Sequence, residues 1–116
     1  MLVSESGRCQ PLKYLSKHRE TAPAMLARFH YVDRNGTPSN PELFRWLGTE
    51  NHRSFRLCEF KVHHPRACRA YAFMTSRGIV IARIEDKTTS NRRVEETIRL
   101  VKTMIDEFVR DGEEYE

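Results

Sequence analysis

Between Phe55 and Lys87 the chain reads FRLCEFKVHHPRACRAYAFMTSRGIVIARIEDK. These are three runs rich in aromatic and β-branched residues, Tyr71, Phe73, Ile79, Val80, Ile81 and Ile84 among them, and such residues favour strands. The breaks between them, HHPR and TSRG, are short enough to close hairpins. Strands joined this tightly must run antiparallel, since a parallel pair needs a long crossover. In the first strand Phe55, Leu57, Glu59 and Lys61 share one face, and Arg56, Cys58, Phe60 and Val62 share the other. Each face is mixed. That suits a sheet that packs helices on one side and presents part of the other to a ligand.

The flanking segments read as helices. Leu12 and Leu15 are the core candidates of a weakly patterned stretch over 1–20, compatible with a short helix after Pro11. Thr21 and Pro23 mark a helix start, because proline's missing N–H is not needed in the first turn. Met25, Phe29 and Val32 follow at helical spacing and Asn35-Gly36 ends the segment. Asn40 can cap and Pro41 can open a second helix, with Leu43, Phe44 and Leu47 as its apolar face before Gly48. After DKTTSN the strongest signal predicts a helix over 92–110. Val94, Ile98, Val101, Ile105 and Phe108 form its apolar stripe, with Glu95 and Glu96 toward the positive end of its dipole. The expected class is α+β, a small antiparallel sheet of three to four strands packed against helices. At 116 residues the chain is expected to form one domain, with a weakly ordered segment at about 1–20 and a fraying acidic tail at 111–116.

Charge follows the strands. From 52 to 83 there are seven Lys/Arg (Arg53, Arg56, Lys61, Arg66, Arg69, Arg77, Arg83) against Glu59 alone, a local +6 in a chain of net +4. The remainder is therefore net acidic. Arginine outnumbers lysine fifteen to five, and arginine is the better bidentate phosphate ligand and stacks on bases. The pattern points to a nucleic-acid partner, and equally to a solvated basic face with none. Three cysteines, an odd number without a framework, argue against a disulfide-stapled secreted fold. Cys9 falls in a segment expected to be mobile, and Cys58 and Cys68 within strands, where thiols behave as small buried hydrophobes. No apolar run approaches membrane-spanning or signal-peptide length. The expectation is a cytoplasmic protein with no membrane association.

The succession of segments resembles the RelE superfamily of bacterial toxins, most closely the HigB-like or phage-derived toxin-like branch. The likeness rests on NPELFRWL, Leu57-Cys58-Glu59-Phe60-Lys61, Cys68-Arg69-Ala70-Tyr71-Ala72-Phe73, the apolar strand Gly78 to Ile84, and Glu85-Asp86-Lys87-Thr88. It covers roughly residues 21–109, and the first of these pieces corresponds to a helix in the family. The resemblance implies a ribosome-dependent mRNA endoribonuclease, neutralised by a cognate helix-turn-helix antitoxin. The implied chemistry is metal-free and uses no cofactor: the ribose 2′-OH attacks the adjacent phosphate while the protein aligns the strand and stabilises the developing charge. Arg69 would be the phosphate ligand, with Lys61 and Lys87 as supporting cations. Where many relatives carry two lysines after the third strand, this chain has Asp86-Lys87, so one cation has become an acid.

Each candidate has an ordinary reading beside the functional one. Arg69 can clamp a phosphate in two hydrogen bonds or form a cross-strand ion pair with Glu59. Lys61 and Lys87 can face a shared concavity or be solvated. Tyr71 is a weaker candidate. His63 and His64 have the right chemistry for proton transfer, but before Pro65 they sit where solvated turn histidines are common. Arg53, Arg56, Arg66 and Arg83 complete the expected RNA contacts. Cys58, His63, His64 and Cys68 number enough for zinc, but C-x4-H-H-x3-C is not a knuckle spacing, and no metal site is expected. Phe44 and Trp46 fit core packing better than base stacking. Two other classes stay open: a non-catalytic RelE-fold protein of phage or plasmid origin that binds RNA or a protein, and a small interaction protein whose basic strands meet an acidic partner.

Overall fold

The computed structural model describes residues 2–3, 10–53, 55–76 and 78–114; Cys9 and Arg77 lie outside them. The elements are β1 (Leu2–Val3), α1 (Gln10–Lys17), α2 (Ala22–Asn35), β2 (Phe44–His52), β3 (Phe55–Val62), β4 (Cys68–Thr75), β5 (Gly78–Asp86) and α3 (Asn91–Glu114). They build an α+β fold around one sheet of order β1-β5-β4-β3-β2. Strands β2 to β5 form a four-stranded antiparallel meander, and β1 adds a parallel edge at Val80 and Ile81.

The three central strands fall where hairpin spacing places them. One expectation is overturned: Phe44, Arg45, Trp46 and Leu47 are not on a helix. Asn40 does cap locally, its Oδ1 accepting the Glu42 N–H at 2.9 Å and its carbonyl accepting the Leu43 and Phe44 N–H groups. The result is one turn that feeds an edge strand. Pairing of Phe44 with Phe60 and Trp46 with Cys58 buries Phe44 against Phe60, ring centroids 5.2 Å apart, a contact that a helix propensity cannot outweigh. Core packing of Phe44 and Trp46 holds, on a strand. The stretch expected to be weakly ordered is helical from Gln10 to Lys17, with Tyr14 buried.

Period-two alternation sends the two sets of side chains to two cores. On one face Cys58, Phe60, Val62, Cys68, Ala70, Ala72, Ile81 and Ile84 pack under α1 and α2 through Tyr14, Met25, Phe29 and Val32. Phe29 meets Phe60 edge to face at 5.1 Å. Helix α2 ends at Gly36, φ 78°, whose N–H returns to the Val32 carbonyl, a left-handed position that glycine takes without strain. On the other face Leu47, Leu57, Tyr71, Phe73, Val80 and Ala82 meet Val101 and Ile105 of α3. Within the stripe expected on α3, Val101 and Ile105 are fully buried, while Val94, Ile98 and Phe108 are only half-buried. Helix α3 is capped by Ser90, whose Oγ accepts the Arg93 N–H at 3.2 Å, and continues to Glu114, past its expected end. Helices therefore lie on both faces of the sheet. No helix among the described residues is long and apolar enough to cross a membrane.

Candidate functional site

Toward the β3–β4 hairpin the face of the sheet that meets α3 changes from apolar to charged side chains. Lys61 pairs in register with Arg69, Glu59 with Tyr71 and with Arg45, Tyr71 with Arg83, and Arg69 with Glu85. All of these side chains therefore stand on one face. At their centre is Glu59, completely buried. Its Oε1 lies 2.7 Å from Arg45 Nη2 and 3.8 Å from Lys61 Nζ, and its Oε2 lies 3.7 Å from Arg69 Nη1. Three cations thus surround one carboxylate at ion-pair distance. None is aligned for a hydrogen bond, so both oxygens lack a geometrically proper donor. At these distances Glu59 is an electrostatic anchor for the three cations.

A second acid extends the cluster. Glu85 is joined to Arg93 and Thr97 of α3 and lies 3.3 Å from Arg83 Nε, and Arg83 Nε is itself buried without a hydrogen-bond partner. Arg45, Lys61, Arg69, Arg83 and Arg93 therefore face two carboxylates, an excess of positive charge over one small area. Lys61 and Arg69 are nearly buried, with 16% and 18% of the side chain exposed. Burial first, opposed by the pull of Glu59 and aided by the charges of Arg45, Arg69 and Lys87, lowers the Lys61 pKa. The Lys87 charge is thus felt at the same place. Tyr71 is 2% exposed, and burial and then Glu59 push its hydroxyl pKa up, so it stays protonated at neutral pH.

Of the residues singled out in the sequence, Lys61, Arg69, Tyr71 and Arg83 are thus brought together, and Lys87 adjoins them. The cross-strand Arg69–Glu59 pair is present as well. The other arginines are not part of the face. Arg56 has the opposite parity and stacks on Trp46, 4.0 Å from the ring centroid. Arg66 grips Asp86 with Nε and Nη2 at 2.7 and 2.8 Å. Arg53, in the β2–β3 turn, pairs with Asp106 at 2.6 Å. Counting charge along the sequence merged two faces and two ends of the sheet. His63 and His64 are exposed in the β3–β4 turn, two and three residues beyond Lys61, and His63 Nε2 donates to the Glu42 carbonyl at 2.8 Å. Cys58 and Cys68 are free thiols in the opposite core, and burial pushes Cys58 up to about 12. Among the described residues no three His, Cys, Asp or Glu side chains are grouped for a metal ion. Arg45 and Arg93 were missed, the first because its segment reads as a helix, the second because it stands at a helix start.

Asp86, the acid at the resemblance's basic turn, pairs in register with Cys68 and so points away from this cluster. Its Oδ1 also accepts the Tyr14 hydroxyl at 2.6 Å, tying α1 to β5. The hydrogen bonds from Arg66 and then Tyr14 hold its carboxyl well below the usual carboxylate range. A depressed folded-state pKa stabilises above the unfolded value and is lost as pH falls below about 4 toward the folded value. Asp86→Asn is expected to cost about 1 kcal/mol at neutral pH, a small figure because the side chain is 52% exposed. It should also flatten the acid limb of stability measured by denaturant titration; an unchanged limb would deny Asp86 this role.

Glu59 carries a larger expectation. Glu59→Ala leaves Lys61 and Arg69 nearly buried without their counter-charge, and should destabilise by about 3 kcal/mol in equilibrium unfolding. An unaltered midpoint would mean that the carboxylate does not hold the cluster. No family model, curated protein or solved structure matches this chain.

Proposed function

We propose that the chain is the toxin of a toxin–antitoxin pair, a RelE-type endoribonuclease that cuts mRNA on the ribosome in the cytoplasm and is neutralised by a cognate helix-turn-helix protein. The observation that carries this reading is the cluster itself, with Lys61, Arg69, Arg45 and Arg83 converging around a buried acid. Such a cluster suits the chemistry that the sequence resemblance implies. Arg69 holds the scissile phosphate in charge-assisted hydrogen bonds. Lys61, a cation beside Glu59, adds a second positive charge at the phosphate as the 2′-OH oxygen attacks phosphorus and gives up its proton to water. The 5′-oxygen of the next nucleotide leaves and takes a proton from water, and Arg83 and Arg45 stabilise the charge built up on the phosphoryl oxygens.

A second reading, a non-catalytic RNA-binding protein of the same fold, is favoured by two observations. The Tyr71 hydroxyl is buried, and one His63 ring nitrogen is engaged by the Glu42 carbonyl, which leaves few groups free to protonate the leaving oxygen. Induced expression in a bacterial host separates the two. The toxin reading expects growth arrest with mRNAs cut within codons; normal growth with intact mRNA would leave only binding.

A further inference from the structure

The basic face does not end at Lys87. Beyond the β5 edge a cleft of about 530 Å³ opens between α1, the end of β5 and the start of α3. Lys13 and Lys17 of α1 and the following His18 line it on one side, and Arg83 of β5, Lys87 just after it and Arg93 of α3 on the other. Its two acids are already occupied, Glu85 by Arg93 and Thr97, and Asp86 by Arg66 and Tyr14. Lys13, Lys17 and Lys87 have no ion pair among the described residues, and Arg83 Nε, 3.3 Å from Glu85, makes no aligned hydrogen bond. The cleft is therefore short of negative charge.

We infer that this cleft is a second phosphate subsite, which holds the backbone of the same single-stranded RNA away from the phosphate at Arg69. The inference rests on the RNA-binding reading above. Arg83 makes the two sites one path, because it lines the cleft and pairs in register with Tyr71, the cross-strand neighbour of Glu59. RNA fits better than a partner peptide added as a strand. Where the β5 edge would receive such a strand, Gln10 already fills it: its Nε2 donates to the Ile84 carbonyl at 2.5 Å and its Oε1 accepts the Ile84 N–H at 2.8 Å. With those backbone groups satisfied, the cleft offers side-chain cations, which suit repeated phosphates.

The test compares binding of a dinucleotide and of a longer single-stranded RNA, with a polyglutamate peptide as rival probe. Lys13 and Lys17 are exposed on α1, so the double variant Lys13→Gln/Lys17→Gln should fold as the parent does. It is expected to weaken the longer RNA by about tenfold and to lower the salt slope by about 1.4, two single-strand phosphate contacts, while dinucleotide binding is unchanged. Wild-type affinity for the longer RNA in that variant would overturn the subsite; if Arg69→Gln still abolished binding, the primary reading would stand without it. Binding of polyglutamate in preference to RNA would assign the cleft to an acidic protein and overturn the proposal. No RNA binding by the parent chain at low salt would overturn the subsite and the RNA reading together.

Discussion

Ile105→Asp is expected to lower stability by about 4 kcal/mol or more, a large part of what a domain of this size has. Ile105 is fully buried where α3 crosses β4 and β5, in one cluster with Val101, Phe73 and Val80. Aspartate there loses the apolar contacts and forces a carboxylate into a site with no cation in that cluster. Ile98→Asp should cost much less, because Ile98 is only half-buried and its substituent can turn toward water. Thermal melts of the two variants check this; equal melting of Ile105→Asp and the parent would mean that α3 does not pack through this stripe.

The contrast between these positions marks how far the sequence could be read. The helical period located α3 and the correct side of it, since Val101 and Ile105 lie one turn apart on an otherwise charged helix. It could not grade burial along the stripe, because that depends on how far α3 extends over the sheet. The meander of β3, β4 and β5 was legible from β-branched residues and short breaks. Strand β2 was not. Asn40-Pro41 and the spacing of Leu43, Phe44 and Leu47 imitate a helix start, and its hairpin turn carries Arg53 at φ 52°, where a glycine or asparagine would ordinarily announce the turn.

Missing β2 also hid Arg45 of the candidate site. Lys61, Arg69, Tyr71 and Arg83 could be placed together by parity alone once their strands were recognised. Arg45 reaches Glu59 only because β2 pairs with β3, and Arg93 reaches Glu85 only because α3 starts beside the end of β5. Arg56 shows the converse error. It is three residues from Glu59 in sequence yet on the opposite face, so local charge density overstated the basic surface.

Arg69→Ala is expected to reduce mRNA cleavage by at least about 100-fold, the usual cost of losing one charge-assisted contact to a transition state. Arg69 also helps neutralise buried Glu59 at 3.7 Å, so part of any loss could come from unfolding. Arg69→Lys keeps a positive charge beside Glu59 and loses the guanidinium fork that grips a phosphate in two hydrogen bonds. It should melt closer to the parent than Arg69→Ala and remain just as inactive. For the same reason, removing Lys61, Arg69 and Arg83 together is expected to disturb the fold and not the binding alone. His63→Ala and His64→Ala should have smaller effects on cleavage. A folded Arg69→Ala protein with full toxicity would take Arg69 out of the mechanism.

The most direct measurement uses the purified chain, programmed ribosomes and two mRNAs that differ by one atom. One carries the ribose 2′-OH at a mapped cut site, and the other is 2′-deoxy at that nucleotide. The account predicts that the first is cut, leaving a 2′,3′-cyclic phosphate on the upstream fragment, and that the second stays whole at that position. Equal cutting of both strands, or an all-ribose mRNA left intact by the folded protein, would contradict it.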